Sequence, residues 1–243
     1  MAALTDLLSS RYTPVQSSIL SKLGPGEVTA LTRTCKSFAE LWPTLRTTDY
    51  NINLRLRKMF KDPRSFLSVQ GQYNALIMRA GARKFLARSK MNMTHLHISI
   101  GSEDSAPLIA YLLAEGYVGD EEHMVSTDWA YYEKVIDKET KYTVFLHSNV
   151  CALVGVLENS LHTADLNFVS WNKVYSLYPY ATFVKKEAFM LSRSSKQDVE
   201  TCAQSLAGQE INIRTPGFLG DECKGPDERS LVLGRRRVGD KTT

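Results

Sequence analysis

The stretch Met93-Thr94-His95-Leu96-His97-Ile98-Ser99-Ile100 (MTHLHISI) predicts a β-strand near the middle of the chain. Successive side chains of a strand point to opposite faces, so residues i and i+2 share one face. His95 and His97 are therefore expected to stand side by side on one surface. They are two of the five histidines in the sequence.

The segments around this strand predict the rest of a sheet. An amphipathic pattern predicts a helix from Tyr73 to Ala87, and SAPLIAYLLAEGY (105–117) predicts a second one. TDWAYYEKVIDKETKYTVFLHSN (127–149) predicts two strands joined by a polar turn, and a further helix is expected over 150–160. A helix, a strand, a helix and a hairpin in this order predict a mixed α/β sheet.

Composition limits the classes of protein to be considered. The chain has 243 residues, and its net charge of +4 comes from 30 basic and 26 acidic residues. Both signs are mixed along most of the chain, which argues against a nucleic-acid surface over the whole molecule. Four cysteines lie far apart without a CxxC pair, so no disulfide framework or common zinc motif is expected. No secretory signal or membrane span is predicted, and we expect a cytoplasmic or nuclear location.

Residues 1–50 predict a small all-helical module. Val15, Ile19, Leu20 and Leu23 are spaced as on one helix, and Gly24-Pro25-Gly26 ends the run. A second apolar series extends to Trp42, where Pro43 is expected to stop it. A module of this size cannot bury all of its apolar side chains alone, so some must face the rest of the chain or another protein.

The run ILSKLGPGEVTALTRTCKSFAELW (19–42) resembles an F-box. The family pattern has an apolar helix ending in Leu, a turn with Pro, a Leu-rich helix, and an Arg/Cys/Lys stretch before an aromatic residue. The resemblance implies docking onto the small adaptor subunit of cullin-type ubiquitin ligases, with apolar anchors that enter a groove. The candidate partner-binding residues are Val15, Ile19, Leu20, Leu23, Pro25, Val28 and Leu31.

Residues 51–243 resemble the body of fungal F-box-like proteins that have a nucleotidyltransferase-like fold. The clearest match is NFVSWNKVYSLYPYATFVKKEAFML (167–191), and RRRVGDKTT (235–243) is similar to the closing segment of that group. The resemblance implies an α+β protein, with the N-terminal helical module followed by a mixed α/β nucleotidyltransferase-like domain and a loop-rich C-terminal tail.

Active enzymes of that fold have a Gly-Ser turn before a helix and an Asp-x-Asp pair on the next strand. The turn holds phosphate, and the carboxylates hold magnesium. In this chain IMRAGAR (77–83) stands at the turn, and His95 and His97 stand where the last two aspartates of the fungal group's motif would be. Magnesium binds imidazole poorly, so we expect the domain to be catalytically inactive and to hold no cofactor.

His147 lies near the position of the third carboxylate of that fold. Three imidazoles at His95, His97 and His147 would suit Zn²⁺. A structural role for histidines in a half-buried strand is favoured, and the zinc site is the alternative.

The function predicted from the sequence is a non-catalytic protein–protein interaction protein, of the F-box type, that presents an unknown client to a cullin ubiquitin ligase. No membrane or nucleic-acid partner is expected. The alternative is an enzyme, either a divergent nucleotidyltransferase or a zinc-dependent activity at the three histidines.

Overall fold

The structure is a computed structural model that describes residues 4–89, 93–119, 129–191 and 196–214. The predicted closing segment RRRVGDKTT and most of the loop-rich tail lie outside the described residues. The helices are α1 Leu4–Leu7, α2 Thr13–Lys22, α3 Pro25–Thr34, α4 Lys36–Ala39, α5 Leu41–Thr47, α6 Ile52–Leu56, α7 Pro63–Gln72, α8 Arg79–Leu86, α9 Ser105–Ala114, α10 Ala152–Glu158 and α11 Lys196–Ala207, with 3₁₀ turns at Ser10–Tyr12, Ser102–Asp104 and Thr163–Asp165 and a π-helix at Tyr180–Lys185. The strands are β1 Leu76–Met78, β2 His95–Gly101, β3 Val118–Gly119, β4 Trp129–Val135, β5 Lys141–Asn149, β6 Asn167–Val169, β7 Val174–Ser176, β8 Glu187–Phe189 and β9 Asn212–Arg214.

The architecture is α+β, with a helical N-terminal region followed by a mixed seven-stranded sheet. The strand order is β3-β4-β5-β2-β1-β6-β7. β2 and β5 pair in parallel, whereas the other neighbours in this sheet pair antiparallel. A separate parallel pair is formed by β8 and β9. The predicted central strand, the hairpin of β4 and β5, and the helices α9 and α10 are all confirmed.

β2 occupies the middle of the sheet because one of its faces is entirely apolar. Leu96, Ile98 and Ile100 are completely buried in the main hydrophobic core. Burial of each such side chain stabilises the fold by about 2 kcal/mol. The opposite face is polar, and it therefore presents its side chains on the other side of the sheet.

The predicted helix from Tyr73 to Ala87 is wrong at its start. Residues 76–78 form β1, between β2 and β6, and the helix begins only at Arg79. Asn74 and Arg79 both have φ in the left-handed region, at 50° and 55°, which interrupts a continuous helix. A short apolar run such as Leu-Ile-Met fits a buried strand as well as a helix, so its spacing could not decide between them.

The helical pattern of the N-terminal region is confirmed, but Pro43 does not stop it. α3 ends at Thr34 because the backbone of the next residue, Cys35, is extended, and α4 and α5 follow. Pro43 is the third residue of α5. Proline is tolerated in the first turn of a helix because the N–H that it lacks would have no partner there.

The N-terminal helices have their own small core and also contact the body. Leu20, Val28, Phe38, Leu41 and Leu45 are buried together, apart from the main core. Tyr50 packs against both clusters. The guanidinium of Arg88, beyond α8, donates to the carbonyl of Leu23 at 3.2 Å and pairs with Asp49. In the part of the chain that the structure describes, no helix is both long and apolar enough to cross a membrane.

Candidate functional site

The polar face of the central strands brings two of the predicted histidines together. β2 and β5 pair in parallel, with His97 opposite Phe145 and Ser99 opposite His147. Side chains opposite each other in this register point to the same face of the sheet. His97 and His147 therefore project from neighbouring strands on one face, although 50 residues separate them in the sequence.

The two imidazoles are in direct contact. His97 Nδ1 lies 3.1 Å from His147 Nε2, which is a hydrogen-bond distance between ring nitrogens. The ring of His97 also stacks on Phe145, with centroids 4.6 Å apart and planes inclined by 11°. When both rings are neutral, one nitrogen donates its proton and the other accepts it.

Burial keeps this pair neutral. Desolvation, together with the smaller effect of the positive charge of Arg79, lowers the pKa of His97 to about 3. Desolvation and Arg79 likewise lower the pKa of His147 to about 4. A general base is most effective when its pKa lies near the working pH. Imidazoles with a pKa of 3 to 4 are poor general bases at neutral pH, so this geometry does not favour acid–base catalysis by the pair.

Arg79 is the charged residue that lowers the pKa of both His97 and His147. Sequence reasoning did not identify it as part of the site. It begins α8, and its Nε donates to the backbone carbonyl of Asn159 at 3.0 Å. Burial lowers the pKa of Arg79. A cation beside the pair makes the site less favourable for a second cation, such as a divalent metal ion.

His95 stands apart from the pair. It is exposed, and its nearest described ring is that of Phe145, with centroids 6.1 Å apart. Within residues 4–89, 93–119, 129–191 and 196–214, no group of three His, Cys, Asp or Glu side chains is arranged to hold a metal ion. The structure thus brings together two members of the predicted three-histidine set but does not bring the third to them.

β2 and β5, which carry the pair, and β1 beside β2 contain no carboxylate. Their sequences are LIM for β1, HLHISIG for β2 and KYTVFLHSN for β5. β4, on the other side of β5, has Glu133, which pairs with Lys141. Magnesium needs oxygen ligands such as carboxylates. The residues on β1, β2 and β5 therefore do not fit a magnesium site.

A buried ion pair joins the middle of α8 to the segment after α10. Arg83 Nη1 pairs with Asp165, and the two side chains are 1% and 11% exposed. His162 Nε2 lies 3.5 Å from the other carboxylate oxygen of Asp165. Sequence reasoning missed this cluster. The available signal was an arginine on the apolar face of α8, beside Ala82 and Phe85, where a charge must be paired.

The predicted partner-binding residues of the N-terminal region divide into two groups. Leu20 and Val28 are buried inside the module, at 3% and 0% exposed. Val15 is 40% exposed. Ile19, Leu23, Pro25 and Leu31 are partly exposed. Only the second group is accessible to a partner without unfolding the module.

No protein-family model matches this chain, and no curated protein matches it.

Proposed function

We propose that this chain is a non-catalytic interaction protein whose N-terminal helices dock onto the small adaptor subunit of a cullin-type ubiquitin ligase. The observation that supports this most is an apolar stripe on α2 and its flanks. Tyr12, Val15, Ile19 and Leu23 follow one another at steps of three and four residues. Val15 and Ile19 lie on one face of α2, and Tyr12 and Leu23 flank the helix. Tyr12 is 46% and Val15 40% exposed. Ile19 and Leu23 are partly buried against the small N-terminal core, so the exposed part of the stripe is Tyr12 and Val15. Exposed apolar side chains of this kind suit insertion into a groove of a partner.

The body of the protein would act as a scaffold of nucleotidyltransferase-like type. The order of β1, α8 and β2, with β5 parallel to β2, supports this view. His95 and His97 on β2, and His147 on β5, stand on the strands where such an enzyme carries its carboxylates. Neutral imidazoles in these places support a scaffold that has lost magnesium-dependent transfer.

Binding to the adaptor can be tested with the purified full-length chain and the adaptor subunit. Removing apolar anchors of an interface costs about 1–2 kcal/mol each, so Val15→Ser with Ile19→Ser should weaken binding at least tenfold. Val150→Ser is the matched control because Val150 is 91% exposed on the body. Leu20→Ala is unsuitable, since the loss of a buried leucine would destabilise the module by about 2–5 kcal/mol. Absence of complex formation by the unaltered chain would refute the proposal.

The enzymatic alternative would use the pair of His97 and His147, whose ring nitrogens lie 3.1 Å apart. If the pair belongs to a zinc enzyme, tag-free protein should contain stoichiometric zinc that is lost in His97→Ala. If the body is a divergent nucleotidyltransferase, nucleoside triphosphate with Mg²⁺ should raise its melting temperature. Protein without stoichiometric zinc and without a nucleotide-dependent shift would exclude both versions.

A further inference from the structure

A groove lies on the outward face of α7, where this helix meets the turn between β6 and β7. It is open to solvent along its length, and its volume is about 560 Å³, within the range of roughly 300–1,000 Å³ that is usual for small-molecule sites. The residues from α7 are spaced at three, four, seven and eight positions, so they form one helix face. The lining residues are Arg64, Leu67, Ser68, Gly71, Gln72 and Trp171.

Both walls of this α7 groove are held in place by the rest of the fold. On the inner side of α7, Phe66 is completely buried, and Gln70 Nε2 donates to the carbonyl of Val169 at 2.8 Å. The turn that presents Trp171 is closed by a hydrogen bond from Ser170 N to the carbonyl of Lys173, also 2.8 Å. A preformed site loses less conformational entropy when a ligand binds.

The flat wall of the groove depends on a glycine. Trp171 is 55% exposed, and its indole lies against α7 at Gly71. A Cβ at position 71 would lie 3.0 Å from Cγ and 3.1 Å from Cδ1 of the indole. Any other residue would therefore push the indole outward. The pairing of Gly71 with Trp171 places an indole in the wall of the groove, and aromatic side chains favour contact with flat apolar groups.

One end of the groove has a positive charge. Arg64 is exposed and is the one charged residue in the lining. Its neighbour Asp62 is not part of the lining; that carboxylate accepts from Arg64 N and from Ser65 Oγ at the start of α7. The hydroxyl of Ser68 and the amide of Gln72 add neutral polar groups. A guanidinium beside an aromatic wall is complementary to an anionic group on a flat apolar molecule.

We propose that the α7 groove binds a small ligand with a flat apolar body and one anionic group. The apolar body packs between Leu67 and Trp171, and the anionic group pairs with Arg64. This site is separate from the α2 stripe and from the histidine pair, so it does not depend on the function proposed above.

Two matched probes test the proposal on the full-length chain. 1-Anilinonaphthalene-8-sulfonate has a flat apolar body with one anionic group, and N-phenyl-1-naphthylamine has the same body without the charge. We expect saturable one-to-one binding of both. Arg64→Gln should weaken binding of the sulfonate roughly two- to fivefold, as for the loss of one exposed ion pair, and should leave binding of the uncharged probe unchanged.

The walls are tested with Trp171→Ala and Gly71→Ala, both of which should weaken binding of the two probes. Trp129→Ala is the control, because Trp129 is also part-exposed, at 37%, but belongs to β4. Circular dichroism should show that each variant remains folded. The proposal is overturned if neither probe saturates, if Arg64→Gln affects both probes equally, or if Trp129→Ala has the same effect as Trp171→Ala.

Discussion

The Arg83–Asp165 ion pair offers a sharp test of how this fold is held together. Both side chains are almost fully buried, and the pair joins α8 to the 3₁₀ turn at Thr163–Asp165. Asp165→Asn keeps the shape of the side chain but removes its charge. It leaves the guanidinium of Arg83 buried without a counter-charge, and breaking a buried pair in this way costs about 3–5 kcal/mol. For a chain of this size, that corresponds to a melting temperature lower by roughly 10 °C.

The matched control is the pair of Lys141 with Glu133, whose side chains are 51% and 32% exposed. Surface pairs contribute roughly 0–1 kcal/mol, so Glu133→Gln should have little effect. Replacing both members of the buried pair, with Arg83→Met and Asp165→Asn, should recover much of the lost stability because Arg83 no longer leaves an unpaired charge; the effect of Asp165 on Arg79 is lost in both variants and so cancels in this comparison. Urea unfolding followed by circular dichroism measures all four proteins. A cost below 1 kcal/mol for Asp165→Asn, or a cost equal to that of Glu133→Gln, would refute this reasoning.

Three further predictions follow from the structure. The pKa values of His97 and His147, about 3 and 4, lie below the value of roughly 6.5 expected in the unfolded chain. The unfolded state therefore binds more protons than the folded state as the pH falls from 6.5 towards 4. The free energy of unfolding should be highest above pH 6.5 and should decrease by at most about 2 kcal/mol per histidine by pH 5. Urea midpoints at pH 7.5 and 5 measure this loss, and His97→Gln with His147→Gln should flatten the profile; an unchanged slope would contradict the prediction. Gly155→Ala should destabilise the protein by about 1–3 kcal/mol, because the new Cβ would lie 2.1 Å from Ser99 Oγ. Gly101→Ala is the control, since the nearest atom to a Cβ at that position is 3.4 Å away. Thermal melting compares the two variants, and equal melting temperatures would be inconsistent with the prediction. Deletion of residues 1–48 should leave a folded body with a lower melting temperature, since the main core is separate from that of the N-terminal helices; an insoluble product would show that the helices are an integral part of the body.

Much of the secondary structure could be predicted from local patterns. The alternation around Leu96 and Ile98 predicted β2, and Gly24-Pro25-Gly26 separated α2 from α3 as expected. These predictions succeed because periodicity and turn residues act over a few neighbouring positions. The prediction fails at β1, where three apolar residues between two left-handed residues fit either a strand or a helix.

The candidate site shows a similar division. The sequence by itself determined that His95 and His97 share one face of a strand and that neither this strand nor the strand KYTVFLHSN has a carboxylate, because strand geometry and side-chain chemistry are local properties. Only the tertiary structure decided that His97 contacts His147, whereas His95 remains apart, since this depends on the register between β2 and β5. The low pKa values of His97 and His147 also depend on the tertiary structure, because desolvation arises when distant parts of the chain cover the site.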